Sequence, residues 1–156
     1  MDKRDFFNTW TDSFRITRET IEAFPEDKLG EVIIPGLRPP GELFCHIFAH
    51  VNGVFNACVR RELKVEELHQ IPPEVDLGSR KDLVRYARRT MEGLLAHASV
   101  NVDVWKQAIH TPWGDVPMDS MCLESFGHEV HHRGQLAAML RILGLDAPKV
   151  CLHDRA

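Results

Sequence analysis

The chain has 156 residues, the size of one compact domain, and 44% hydrophobic residues are enough to fill a core. Charged residues make up 27% and the net charge is −4, which favours solubility and argues against nucleic acid, whose binding calls for a basic patch. No segment approaches the roughly 18 to 20 unbroken apolar residues of a membrane span, so no membrane partner is expected.

The first predicted helix runs from about Asp2 to Phe24, with Phe6, Phe7, Trp10, Phe14, Thr17 and Ile21 recurring at three- and four-residue steps and Pro25 closing it. The second runs from about Pro40 to Arg61. Its apolar members are Leu43, Phe44, Ile47, Phe48, Val51, Val54, Phe55, Cys58 and Val59, while Ala49, Gly53 and Ala57 fill much of the rest. A helix apolar or small nearly all round is a buried helix. After Pro72-Pro73, Ser79 opens a capping-box pattern with Asp82, and a third helix follows to about Ala98 through Leu83, Val84, Ala87, Met91, Leu94 and Leu95. The Pro and Gly signals of His110–Pro117 place a loop or a short hairpin there. The fourth helix starts near Met118 or Asp119 and ends at Leu143, with Gly144 as its stop and Pro148 preventing resumption. Four long helices in a single domain, residues 1–156, read as an all-α four-helix bundle.

Four cysteines, Cys45, Cys58, Cys122 and Cys151, show no C-x-x-C spacing, and no apolar signal region follows Met1-Asp2-Lys3-Arg4-Asp5. The expectation is a cytoplasmic protein without a disulfide framework, with Cys45 and Cys122 as packing residues.

The fourth helix carries the chemistry. At 100° per residue, His128 and His132 lie about 40° apart around the axis and about 6 Å apart along it, so two imidazoles can converge on one ion. Their stripe begins and ends apolar (Met121; Leu136, Met139, Leu143) but reads Ser125, His128, His132, Gln135 in its middle. Each buried polar group left without a partner costs roughly 1 to 3 kcal/mol, and a metal ion is a simple common partner for two neutral imidazoles. The competing reading is a pair of hydrogen-bonded core histidines. A third ligand should come from a facing helix. The second helix offers His46 and His50, and spacing alone does not choose: His50 is nearer the apolar centre, and His46 is nearer the Gly53 and Ala57 side, where another backbone can approach. His131 falls at the margin of the stripe, as a supporting or surface group. His69, His97, His110 and His153 read as solvated.

His128-Glu129-Val130-His131-His132 also satisfies H-E-x-x-H, the zinc-protease pattern in which Glu129 would be a general base. Against it, no convincing third ligand follows downstream, His153 and Asp154 lying in a short tail, and no strand is expected before the helix to align a peptide. Glu129 then reads as a solvated or salt-bridged helix residue.

The run Ser125-Phe-Gly-His-Glu-Val-His-His-Arg-Gly-Gln-Leu136, continuing through Leu140-Arg-Ile-Leu-Gly-Leu145, resembles the last-helix signature of the DinB/YfiT-like family. Pro35-Gly-Leu-Arg-Pro-Pro-Gly-Glu-Leu-Phe-Cys-His46 is similar to its second-helix segment. The resemblance implies a DinB-type four-helix bundle, commonly a homodimer, with one divalent metal, Zn²⁺ or Ni²⁺ above all, on His46, His128 and His132. It thereby selects His46 over His50. The histidine at position 50 departs from the family pattern and is a candidate alternative ligand, fourth ligand or proton-transfer group. His131 and Gln135 are expected to support the ligands.

Three ligands leave a tetrahedral ion one open position, as in catalytic zinc sites. The resemblance implies a metal-dependent transferase or isomerase that uses a low-molecular-weight thiol on a small-molecule substrate. The alternatives are a hydrolase using metal-bound hydroxide and a non-catalytic metal-binding stress-response protein. A pocket beside the loop from His110 to Pro117, with Trp105 and Trp113 near it, is expected to admit the substrate.

Overall fold

The computed structural model describes residues 3–98 and 105–149, so Cys151, His153 and Asp154 lie outside the described residues. Helix α1 spans Lys3–Ala23, α2 Pro40–Arg60, α3 Arg80–Ala98 and α4 Met118–Ile142. Short 3-10 turns occupy Glu26–Lys28 and Val65–His69, and a two-stranded hairpin, β1 (Ala108–Thr111) and β2 (Gly114–Pro117), precedes α4. The four helices match the expected bundle. No described helix is long and apolar enough to cross a membrane.

Local sequence explains the ends. Pro40 opens α2, where a missing N–H is not needed. Ser79 Oγ accepts the Asp82 N–H at 3.3 Å, so the serine caps α3 as the box predicts. The return half of the box is absent: the Asp82 carboxylate accepts from the Asp76 N–H at 3.1 Å. Asp is a methylene shorter than the Glu that normally reaches back. Gly144 takes φ +74°, and the Leu145 N–H donates to the Leu140 carbonyl at 2.9 Å, closing α4 in a Schellman turn.

Aromatic residues join the helices. Trp10 and Phe14 of α1 and Phe44 and Phe48 of α2 are fully buried, with ring centroids 5.6 Å apart for both Trp10–Phe55 and Phe14–Phe48. Helix α1 packs on α3 and α4, and α2 packs on α3, α4 and the Val65–His69 turn. Helix α2 is thus covered from several sides, as its composition requires. Val59 is the exception: read as an apolar core member, it is 74% exposed, beside exposed Arg60 in the last turn, where Ala57 and Cys58 take the buried side.

The segment after α2 positions the hairpin. Arg61 adopts a left-handed φ of 61°, and the chain then pairs with β1: the His110 N–H donates to the Arg61 carbonyl at 2.9 Å, and the Leu63 N–H to the His110 carbonyl at 2.8 Å. Strands β1 and β2 pair antiparallel with Thr111 opposite Gly114. The short hairpin expected as one form of His110–Pro117 is present, and the expectation that no strand precedes α4 is corrected. The strands are four residues each, too short for an alternating pattern to stand out from a loop.

Candidate metal centre

The centre lies between the middle of α2 and the middle of α4. His46 and His50 are one turn apart on α2, and His128 and His132 are one turn apart on α4. Among the described residues, the ligand atoms of His46, His128 and His132 lie within 4.8 Å of one another. Nε2 of His46 and Nε2 of His128 are 3.1 Å apart. Two nitrogens on one tetrahedral zinc ion would stand about 3.4 Å apart, given Zn–N distances of about 2.0–2.1 Å. Nδ1 of His46 and Nδ1 of His128 are buried and make no hydrogen bond. Two Nε2 atoms that face each other at nearly the spacing of two ligands on one ion fit an ion-binding role.

Gln135 fixes the third ring. His132 Nδ1–H donates to Gln135 Oε1 at 2.8 Å, which leaves Nε2 as the free lone pair. Gln135 Nε2 in turn lies 3.4 Å from His131 Nε2, and His131 is exposed.

The protonation states suit a cation. Burial, helped by Arg38 and the neighbouring imidazoles, pushes His46 from the ordinary 6.5 down to about 4. Burial does the same to His50, also to about 4, and takes His128 to about 2. Burial also lowers His132, against the opposing effect of the Gln135 hydrogen bond. All four rings are neutral at pH 7, as metal ligands must be. The sign for stability follows. Folded values lie below the unfolded one, so the unfolded chain binds more protons once the pH drops under about 6.5. The metal-free protein is expected to hold its stability above that pH and lose it progressively toward pH 4, with a shallower loss in His128→Gln. Urea midpoints measured from pH 8 to 4 check this, and a flat profile between pH 7 and 5 would contradict it.

His50 is close to this cluster without joining it. Its ring lies parallel to that of His128 with centroids 3.8 Å apart, Nδ1 hydrogen-bonds with Ser125 Oγ at 3.1 Å, and Nε2 faces Glu124 at 3.8 Å. The nitrogens that would have to reach an ion are directed to other partners. His69, read as solvated, is exposed, and its ring lies parallel to His46 at 5.4 Å. It gets there because the Val65–His69 turn sits directly on Gly53, where a Cβ would come within 2.9 Å of the Glu67 backbone. The close approach on that side of α2 was legible, though it comes from a turn rather than a helix. His110 is exposed and bonded to Asp115. His97 corrects its reading as solvated: it is half-buried, with its ring 4.4 Å from Phe55.

Glu129 is placed outside the cluster. Its side chain is fully buried, accepts a short hydrogen bond from Thr17 and pairs with Arg133 at 2.9 Å. Arg133 also donates to the Ser13 carbonyl and hydroxyl, each at 2.7 Å. Burial pushes the Glu129 carboxyl up, with Arg133 and Thr17 pulling it back. A group so enclosed against α1 has no path to a substrate at the histidines, so the general-base reading of H-E-x-x-H gains no geometric support. Thr17 and Arg133 were missed as its partners, although Arg133 stands four residues after Glu129, the spacing of a helical ion pair.

The two tryptophans divide. Trp105 packs on Phe6 and Phe7, with centroids 5.6 and 5.2 Å away. Trp113, in the hairpin turn, is 64% exposed and lines a cavity of about 220 Å³ that His50 also borders. Cys45, Cys58 and Cys122 are buried and free, and burial raises the Cys45 thiol to about 12.

Likeness to known proteins decides the lineage. The DinB family profile matches residues 1–154. The chain belongs to the DinB family. Three solved structures share the fold: a DinB-like protein of Bacillus subtilis (TM-score 0.77, 18% identity, 94% of this chain and 97% of that one), another of Bacillus cereus (0.72, 20%, 94% and 95%), and a putative DinB family member of Exiguobacterium sibiricum (0.66, 20%, 92% and 93%). At such identities the DinB structures establish the fold alone. No curated protein matches the chain.

Proposed function

We propose that this DinB protein holds one divalent metal, Zn²⁺ or Ni²⁺, on His46, His128 and His132 and is a metal-dependent enzyme of the thiol-dependent transferase or isomerase type. The convergence of three neutral imidazoles from two helices carries the reading. When bound, the ion supplies a Lewis acid that favours the anionic form of a thiol at neutral pH. The protein's own contribution is orientation. Gln135 holds the His132 ring, the stacked His50 limits rotation of His128, and His50 presents an imidazole toward the cavity as a candidate proton-transfer group. No described cysteine suits the role of nucleophile, since Cys45, Cys58 and Cys122 are all buried, so the thiol would be a small cosubstrate. The test is turnover of an electrophile by metal-loaded protein with and without an added low-molecular-weight thiol. Hydrolysis independent of thiol and abolished by chelation would replace this reading with the hydrolase.

Gln135→Ala is expected to weaken metal affinity or activity about 10- to 100-fold, as loss of a ring-orienting partner does, while the fold persists. Competition with a chromogenic chelator measures it; affinity and activity both within twofold of wild type would contradict the orienting role.

We propose that the chain forms a homodimer, as the resemblance implies, through α4. The apolar surface of α2 is covered within the chain and asks for no partner. Helix α4 instead presents Leu123, Gly127, Val130 and Gly134 outward at alternating four- and three-residue steps, with nothing within 4 Å of a Cβ built at either glycine. Such a row admits a second helix closely. Light scattering should give about twice the 17.8 kDa chain mass, and the monomer mass at all working concentrations would refute the dimer.

A further inference from the structure

The cavity beside the histidine cluster has a composition that the metal reading does not use. It holds about 220 Å³ between the hairpin, the segment after α2 and the start of α4. Leu63, Leu68 and Met121 make its apolar wall, and Trp113, Glu124 and His50 also line it. Glu124 is its only charged side chain. Among the described residues, the only basic side chain within ion-pair distance of that carboxylate is His50, 3.8 Å away. The Glu124 side chain is 62% exposed, so its carboxylate is open to a cation that enters the cavity. Trp113 contributes the second signal: a large aromatic ring, 64% exposed on a hairpin turn, left facing solvent at the cavity's edge.

We infer that this cavity binds an organic ammonium compound, its apolar body against Leu63, Leu68 and Met121 and its cationic nitrogen between the Trp113 ring and the Glu124 carboxylate. An indole face attracts a cation through its quadrupole, and a carboxylate at the other side adds charge complementarity. An anionic head group would instead meet Glu124 with no cation to offset it. This inference deepens the enzyme reading, because His50 borders both the cavity and the cluster, and it assigns the class of molecule that enters.

Benzyltrimethylammonium is a suitable probe, because its nitrogen has no lone pair and cannot ligate a metal. Titration of the full chain, metal-loaded and metal-free, is followed by the indole N–H resonance of Trp113, assigned with Trp113→Phe. Saturable shifts are expected with the ammonium and much weaker ones with benzyl alcohol or benzoate. Glu124→Gln should weaken the ammonium about threefold to tenfold with metal content unchanged, and Trp113→Leu, followed by calorimetry, should weaken it by a similar factor. Benzoate or benzyl alcohol binding as tightly, no saturable shift with the ammonium, or a Glu124→Gln affinity equal to wild type would overturn the assignment. Ammonium binding in a protein that takes up no metal would leave the assignment standing and refute the metal reading alone.

Discussion

His128→Ala and His132→Ala are each expected to reduce bound metal from about one equivalent per chain to near zero. Three ligands are the minimum for a tight site of this kind, and removing one leaves two imidazoles whose affinity falls by orders of magnitude. The two substitutions should not be identical in other respects. His128 is pressed between His46 and His50, with centroids 4.8 and 3.8 Å away, so its removal also opens a void beside both. His132 is more peripheral and is held through Gln135, so its loss should leave the apo fold nearly unchanged. Metal analysis after purification with one candidate metal at a time, with circular dichroism as a fold control, distinguishes loss of site from loss of structure. His50→Ala is the informative comparison: it should retain the metal, since His50 Nδ1 and Nε2 face Ser125 and Glu124. One tightly bound equivalent in both the His128 and His132 variants would place the site elsewhere.

Much of this centre was legible because α4 breaks its own pattern. Ser125, His128, His132 and Gln135 interrupt an apolar stripe, and helical geometry alone sets them side by side. The choice between His46 and His50 was not legible from spacing, because both lie on a helix that is buried nearly all round. It turns on which face of α2 meets α4, a property of packing rather than of periodicity. The hairpin was half visible: Pro112, Gly114 and Pro117 marked an interruption, but its pairing depends on the left-handed Arg61 and the bridge to Leu63, contacts between distant segments. Glu129 illustrates the opposite failure. A sequence motif offered it as a catalyst, whereas its surroundings depend on Ser13 and Thr17 of α1, more than a hundred residues away.

Those surroundings make the α1–α4 interface the place where a single change should cost the most stability. Glu129→Ala removes the only carboxylate paired with Arg133 among the described residues and leaves the guanidinium, whose side chain is 7% exposed, on the neutral Ser13 and Thr17 acceptors. Breaking such a pair from one side costs about 3–5 kcal/mol. An arginine cannot deprotonate to escape, so no titration of the stranded guanidinium relieves this loss. Arg133→Met exposes the other case. The stranded carboxyl already has its proton affinity raised by burial, and without the guanidinium it rises further. A folded-state value above the unfolded one means that the folded protein binds the extra proton, so the destabilisation relative to wild type should shrink as the pH falls. Glu129→Gln keeps an acceptor for Thr17 and Arg133 and should cost less than Glu129→Ala. The double variant Glu129→Leu/Arg133→Met removes both charges together and should recover much of the loss, because replacing a buried pair with apolar groups of similar volume is often neutral or stabilising. Urea unfolding at pH 8 and pH 6 measures all four. Single-variant losses below about 1 kcal/mol, or a double variant as unstable as the sum of the two singles, would show that the pair is not the buried, mutually dependent unit described here.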